Sequence, residues 1–91
     1  MYICTPSTIG EKTDFSNEQD GDLNRYSNII RKIANESKVQ LIDLRDIFHG
    51  YELANNKDNK DRGILTSDGV HLNEAGNRFV AEQMMKALIS R

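Results

Sequence analysis

The chain has 91 residues, of which 37% are hydrophobic and 29% charged, the balance of one small globular domain with a modest core. A formal charge of −2 gives no basic footprint for nucleic acid, and no apolar run approaches the roughly 20 residues needed to span a bilayer. The opening MYICTPSTIG has neither a basic n-region nor a long apolar stretch and does not read as a signal peptide, while the single cysteine, Cys4, excludes an internal disulfide and a multi-thiolate zinc site.

Tyr2-Ile3-Cys4-Thr5 is a short β-prone run ended by Pro6, whose ring biases Thr5 toward extended geometry. Cys4 is expected there as a buried, inert thiol. Ser7 to about Gly21 is polar and reads as a loop, with Ser16 and Gln19 as a possible capping box and Gly21-Asp22 as a later helix start. From about Asp22 to Ser37 the apolar residues Leu23, Tyr26, Ile29, Ile30, Ile33 and Ala34 recur at helical spacing. That pattern predicts a one-sided helix packed on another element. Asn35-Glu36-Ser37 matches a glycosylation sequon, but inside a predicted helix it carries no weight.

Val39 to Leu44 follows directly, rich in β-branched and aliphatic residues, and predicts a strand covered on both faces. A helix feeding into such a strand is half of a βαβ unit, with Tyr2–Thr5 as the preceding parallel strand. Asp46 to Leu53 could hold a helical turn. The polar stretch from Asn55 to Gly63 reads as a solvated loop. It is not an EF-hand, because Lys60 and Arg62 fall on ligand positions and Gly69 stands where a bidentate Glu belongs. The last helix is expected from Asn73 to Ser90, with Asn73 as N-cap and Phe79, Val80, Met84, Ala87 and Leu88 as its apolar stripe. The Met84-Met85 pair reads as core filler.

The residues that point to chemistry are Thr66-Ser67-Asp68-Gly69-Val70-His71-Leu72-Asn73, just ahead of the last helix. An acid three residues before a histidine, on a turn into a helix, can bring carboxylate and imidazole together. The carboxylate accepts the Nδ1–H, fixes the tautomer and leaves Nε2 to take a proton from a nucleophile. Gly69 between them allows a tight turn. The same spacing also describes a plain N-terminal turn in which Asp68 only caps. Asp46-x-x-His49 is a second such pair, but it lacks the intervening glycine and the helix start behind it.

The whole string, followed by Ala75-Gly76 and an apolar helix, closely resembles the terminal motif of SGNH/GDSL hydrolases, in which the Asp and His complete a Ser-His-Asp triad. The upstream order is similar too: a strand ending in Thr5-Pro6, an amphipathic helix, a strand ending in Asp43-Leu44, and a variable loop. The Gly-Asp-Ser nucleophile motif and the oxyanion Gly and Asn of that family are not found. Gly21-Asp22-Leu23-Asn24 mimics the first of these, with Leu23 where the serine belongs.

The resemblance implies an α/β, three-layer flavodoxin-like SGNH fold, with residues 1–91 as the C-terminal portion of that single domain, about two parallel strands plus flanking helices. It implies hydrolysis of a carboxylic ester or thioester, with His71 as general base and then general acid and Asp68 orienting it, and no cofactor or metal. Nucleophile and oxyanion hole would come from outside these residues. The expected partners are a small-molecule, lipid or sugar ester as substrate, and either the N-terminal half of the fold or another copy of the chain. Compartment and acyl specificity are left open. Two other classes are weighed: a fold fragment serving only as a packing or interaction module, and a metal-dependent hydrolase using His71, Asp68 and His49.

Overall fold

Tyr2–Cys4 (β1) runs parallel to Gln40–Ile42 (β2) in the computed structural model, which describes residues 2–89. Tyr2 lies opposite Gln40, Ile3 opposite Leu41 and Cys4 opposite Ile42, and Thr5 N–H extends the ladder to Ile42 O at 3.1 Å. Asp20–Ser37 (α1) connects the two strands, so the expected βαβ unit is present. Leu44–Asn55 (α2) follows β2, and Glu74–Ile89 (α3) closes the described chain after a long connection. The class is α/β, as expected.

Helix α1 starts at Asp20, two residues before the expected Asp22. No Ser16–Gln19 capping box forms; the Ser16 hydroxyl donates to Asp14 instead, and Gln19 makes no side-chain cap bond. Asp20 and Asp22 place negative charge against the unpaired N–H groups of the first turn. At the other end Lys38 adopts a left-handed conformation (φ 55°), which turns its own N–H and that of Val39 onto Ala34 O.

The expected single apolar face of α1 is divided. Leu23, Ser27 and Ala34 are buried, whereas Tyr26, Ile29 and Ile33 stand about half exposed. Strand β2 is likewise not covered on both faces, because Gln40 and Leu41 are exposed and only Ile42 is buried. It is also shorter than Val39–Leu44. Asp43 leaves the sheet to cap α2, accepting from Asp46 N–H at 3.3 Å, and Leu44 is already helical. Asp43 is held there by Arg31, whose Nε and Nη2 donate at 2.7 and 2.9 Å, and by the Thr5 hydroxyl at 2.8 Å. Burial works against the Asp43 charge, but the hydrogen bonds from Arg31 and Thr5 keep its carboxyl below the usual carboxylate range.

The expected helical turn near Asp46–Leu53 is a full helix, because Leu44, Phe48 and Glu52 recur every four residues and all face inward. Ile42, Leu44, Phe48 and Leu65 form the buried apolar cluster. Helix α3 docks on it through Phe79, whose ring lies 5.3 Å from Phe48 edge-on and 4.6 Å from Tyr51. Asn73 caps α3 as expected, its Oδ1 accepting from Gly76 N–H at 2.8 Å. Val80, Met84 and Ala87 pack on the cluster, but Leu88 is half exposed, and Ser90 lies outside the described residues. Cys4 is half-buried against the same cluster, less enclosed than expected.

Arg45 joins the layers. Its guanidinium is buried and donates to Asp20 at 2.7 Å, Asn24 at 3.0 Å and Ser7 O at 3.3 Å, and its backbone N–H reaches the Thr5 hydroxyl at 2.9 Å. Removing one member of a buried ion pair leaves the other charge uncompensated, at about 3–5 kcal/mol. Arg45→Met in the full-length protein should therefore lower unfolding stability by about that amount, and Asp20→Asn added to it should recover part of the loss. Urea titration of the two variants checks this; an unchanged midpoint in Arg45→Met would contradict it.

Candidate active site

Two loops meet to build the site. The first, between β1 and α1, and the second, between α2 and α3, are joined by Gly10 N–H to Gly69 O at 2.5 Å, Glu11 N–H to Asp61 O at 2.9 Å and Thr13 N–H to Asn59 at 2.7 Å. Asn56 is buried and donates to Glu11 O and Lys60 O, both at 2.8 Å. The stretch expected as a solvated loop is therefore anchored at both edges.

Just after it, Thr66 and Leu72 pair as an antiparallel bridge, and Ser67 N–H donates to His71 O at 2.9 Å. This throws residues 67–71 outward as a tight turn. Gly69 occupies it at φ +92°, a conformation that side chains other than glycine's adopt only with strain. Asp68 Oδ1 accepts from the N–H groups of Val70 at 2.9 Å and His71 at 2.8 Å. Its Oδ2 lies 2.8 Å from His71 Nδ1. The turn thus brings together the two residues the motif singled out. The backbone N–H of His71 and then its ring hold the Asp68 carboxyl well below the usual range. An ionised Asp68 selects the tautomer with hydrogen on Nδ1. Nε2 then has a lone pair, no partner among the described residues, and a side chain 79% exposed around it. The arrangement is that of an oriented base turned outward. An open cleft of about 320 Å³, within the range of small-ligand sites, borders the turn on the Asp68 side, lined by Ile9, Lys12, Arg62 and Val70.

The rival pair is arranged differently. Asp46 and His49 both lie on α2, and His49 Nε2 is 2.9 Å from Thr13 O, its ring stacked on Phe15 at 4.4 Å. Its Nε2 donates to a carbonyl and is not open as a base. No group of three His, Cys, Asp or Glu side chains converges as a metal site among the described residues. Among the described residues His49 does not join Asp68 and His71 in such a group.

Three further residues support the turn. Glu11, buried at 1% exposure, accepts from the N–H groups of Leu65 at 2.6 Å and of Ile64 and Thr66 at 3.2 Å each. Gly76 lets α3 start against Leu65 O; a Cβ there would lie 2.0 Å from that oxygen. Glu52 is buried beside Glu11, and neither of its carboxyl oxygens meets a donor. Only Gly76 was marked, as part of the motif.

Residues 1–84 match the GDSL-like Lipase/Acylhydrolase family, and the chain belongs to that family. It is also similar to the crystal structure of an acetyl xylan esterase, AlAXEase, at 64% identity and a TM-score of 0.93. That match covers 97% of this chain and 44% of the esterase chain, so these residues span less than half of that structure's length. No curated protein matches the sequence. Among the described residues no helix is long and apolar enough to cross a membrane.

Burial, and then the neighbouring Glu11 carboxylate, push the Glu52 carboxyl up from 4.5 to about 9, so at neutral pH it is an acid able to donate to Glu11. Between those two values the folded protein keeps a proton that the unfolded chain has released. The stability from this group is therefore full below about 4.5 and is lost as pH rises toward about 9. Glu52→Gln copies the neutral acid and keeps a donor. It should flatten the decline of the urea midpoint between mildly acidic and mildly basic pH in the full-length protein. Equal slopes for variant and wild type would contradict a protonated Glu52.

Proposed function

Starting from membership of the GDSL-like lipase/acylhydrolase family, we propose that this chain supplies the base and its orienting acid to a serine esterase. Asp68 Oδ2 at 2.8 Å from His71 Nδ1, with Nε2 open, is the observation that carries this reading. The serine and the oxyanion donors come from outside these 91 residues. In the forward half-reaction His71 Nε2 takes the serine hydroxyl proton as that oxygen attacks the ester carbonyl. The tetrahedral intermediate collapses, the ester C–O bond breaks and the departing alcohol takes the proton from His71. Water then attacks the acyl-serine with His71 again as base; the acyl–serine bond breaks, the serine oxygen takes the proton from His71, and the acid leaves. Asp68 stays ionised throughout and stabilises the imidazolium. The similarity to an acetyl xylan esterase supports an O-acetyl group on a xylan-type polysaccharide as the ester cleaved.

The open apolar surfaces support a second part of this reading. β1 and β2 are the two strands among the described residues, and two strands do not make an independently stable sheet. Leu41 on β2 and Tyr26, Ile29 and Ile33 on α1 are exposed. In this reading the rest of an SGNH-type three-layer domain, or another copy of the chain, adds strands and covers them.

His71→Ala in the full-length protein should lower kcat by about 10³-fold or more with the fold intact, and Asp68→Asn should cost less if another acceptor can hold the ring. His49→Ala should do little. Steady-state kinetics on an acetylated xylan oligosaccharide check all three, and wild-type turnover by His71→Ala would defeat the assignment. Residues 1–91 expressed alone should associate or show weak amide protection in β1 and β2, and should hydrolyse no activated ester above background. A monomer in sedimentation with strongly protected strand amides would contradict the first expectation, and burst acylation of a serine in this segment the second.

A further inference from the structure

Glu11 touches neither Asp68 nor His71, yet the turn that carries them hangs from it. Its two carboxylate oxygens collect three successive backbone N–H groups, at Ile64, Leu65 and Thr66, and the Thr66 hydroxyl. With its hydrogen donated to Glu11 in a hydrogen bond, Thr66 Oγ1 keeps its lone pairs and accepts from Gly69 N–H at 2.9 Å. Gly69 is the residue between Asp68 and Val70, and its carbonyl is held in turn by Gly10 N–H, one residue before Glu11. The positions of Asp68 and His71 are thus tied to one buried side chain through two short paths. A glutamine in its place would offer one acceptor oxygen where four donors converge, and its NH₂ would face N–H groups.

We propose that Glu11, acting through the Thr66 hydroxyl, is a positioning residue that sets the Asp68–His71 turn for catalysis. The inference rests on the dyad reading above. A shift of about 1 Å in a catalytic group can lower rates by about 10²-fold, so the effect belongs in kcat and not in substrate binding.

The test uses Glu11→Gln, Thr66→Val and Thr66→Ser in the full-length protein, each shown to be folded by circular dichroism. Glu11→Gln and Thr66→Val should each lower kcat by roughly 10- to 100-fold at nearly constant KM. The double variant should fall little further than the worse single, because both cut one relay. Thr66→Ser keeps the hydroxyl and should retain most of kcat. Carbon-13 NMR of the Asp68 carboxyl supplies a readout independent of activity. Its titration should move up toward the ordinary value of about 3.9 in Glu11→Gln and Thr66→Val, and stay put in Thr66→Ser. Unchanged kcat and an unshifted Asp68 titration in folded Thr66→Val would overturn the proposal, even if Glu11→Gln does not fold. Activity surviving His71→Ala would overturn the dyad reading instead, and the Asp68 titration would still decide the positioning claim.

Discussion

A buried carboxylate at Glu11 holds the two long loops of this chain against each other. It sits at 1% exposure, where an isolated charge would be severely penalised, and burial does push its carboxyl upward. Hydrogen bonds from Glu52, Thr66, Leu65 and Ile64 outweigh that push and hold it below the usual range. Glu52 takes the opposite course and keeps its proton. One acid of the pair thus works as an anion collecting backbone donors, and the other backs it as a neutral donor. The backbone at 64–66 has no strand or helix partner for those N–H groups, so without Glu11 they would lose their partner, and those of Leu65 and Thr66 would be left buried and unpaired.

The same economy appears at the ends of the strands. Thr5 follows β1 and Asp43 follows β2; the Thr5 hydroxyl donates to Asp43, and Asp43 also accepts from Arg31. Arg45 then ties Thr5 to Asp20 and Asn24 on α1. Among the described residues the buried apolar cluster has four members, and charge-assisted hydrogen bonds fix much of the geometry around it. The loop after β1 is one of the two that hold the Asp68–His71 turn. The candidate site therefore lies on the side where the strands deliver their carboxyl ends, the usual place for ligand sites in open parallel sheets.

Much of this was legible in the residues. The βαβ order followed from periodicity, because α1 and the short strands have distinct apolar patterns. The spacing of Asp68 and His71 around Gly69 allowed their contact but equally a plain capping turn, and the longer motif string favoured the first; Asp68 does both, one oxygen accepting backbone N–H groups and the other facing the ring. Helix α2 was underestimated because Glu52 interrupts its apolar stripe and Gly50 lies in its interior, although Glu52 is buried as a neutral acid. Strand β2 was overextended because Asp43 and Leu44 continue the aliphatic run, while the Arg31 and Thr5 bonds that pull Asp43 out of the sheet are set by tertiary contacts. Glu11 had no signal at all. It lies in a polar stretch, and its donors are backbone groups more than fifty residues away, which no local pattern encodes.

The central claim is that His71 serves a serine located outside these 91 residues. A fluorophosphonate probe applied to the full-length protein, followed by peptide mapping, tests it most directly. The account predicts stoichiometric labelling of one serine outside residues 1–91, with the labelling rate greatly reduced in His71→Ala. Labelling of a serine inside the segment, or labelling indifferent to His71, would contradict it.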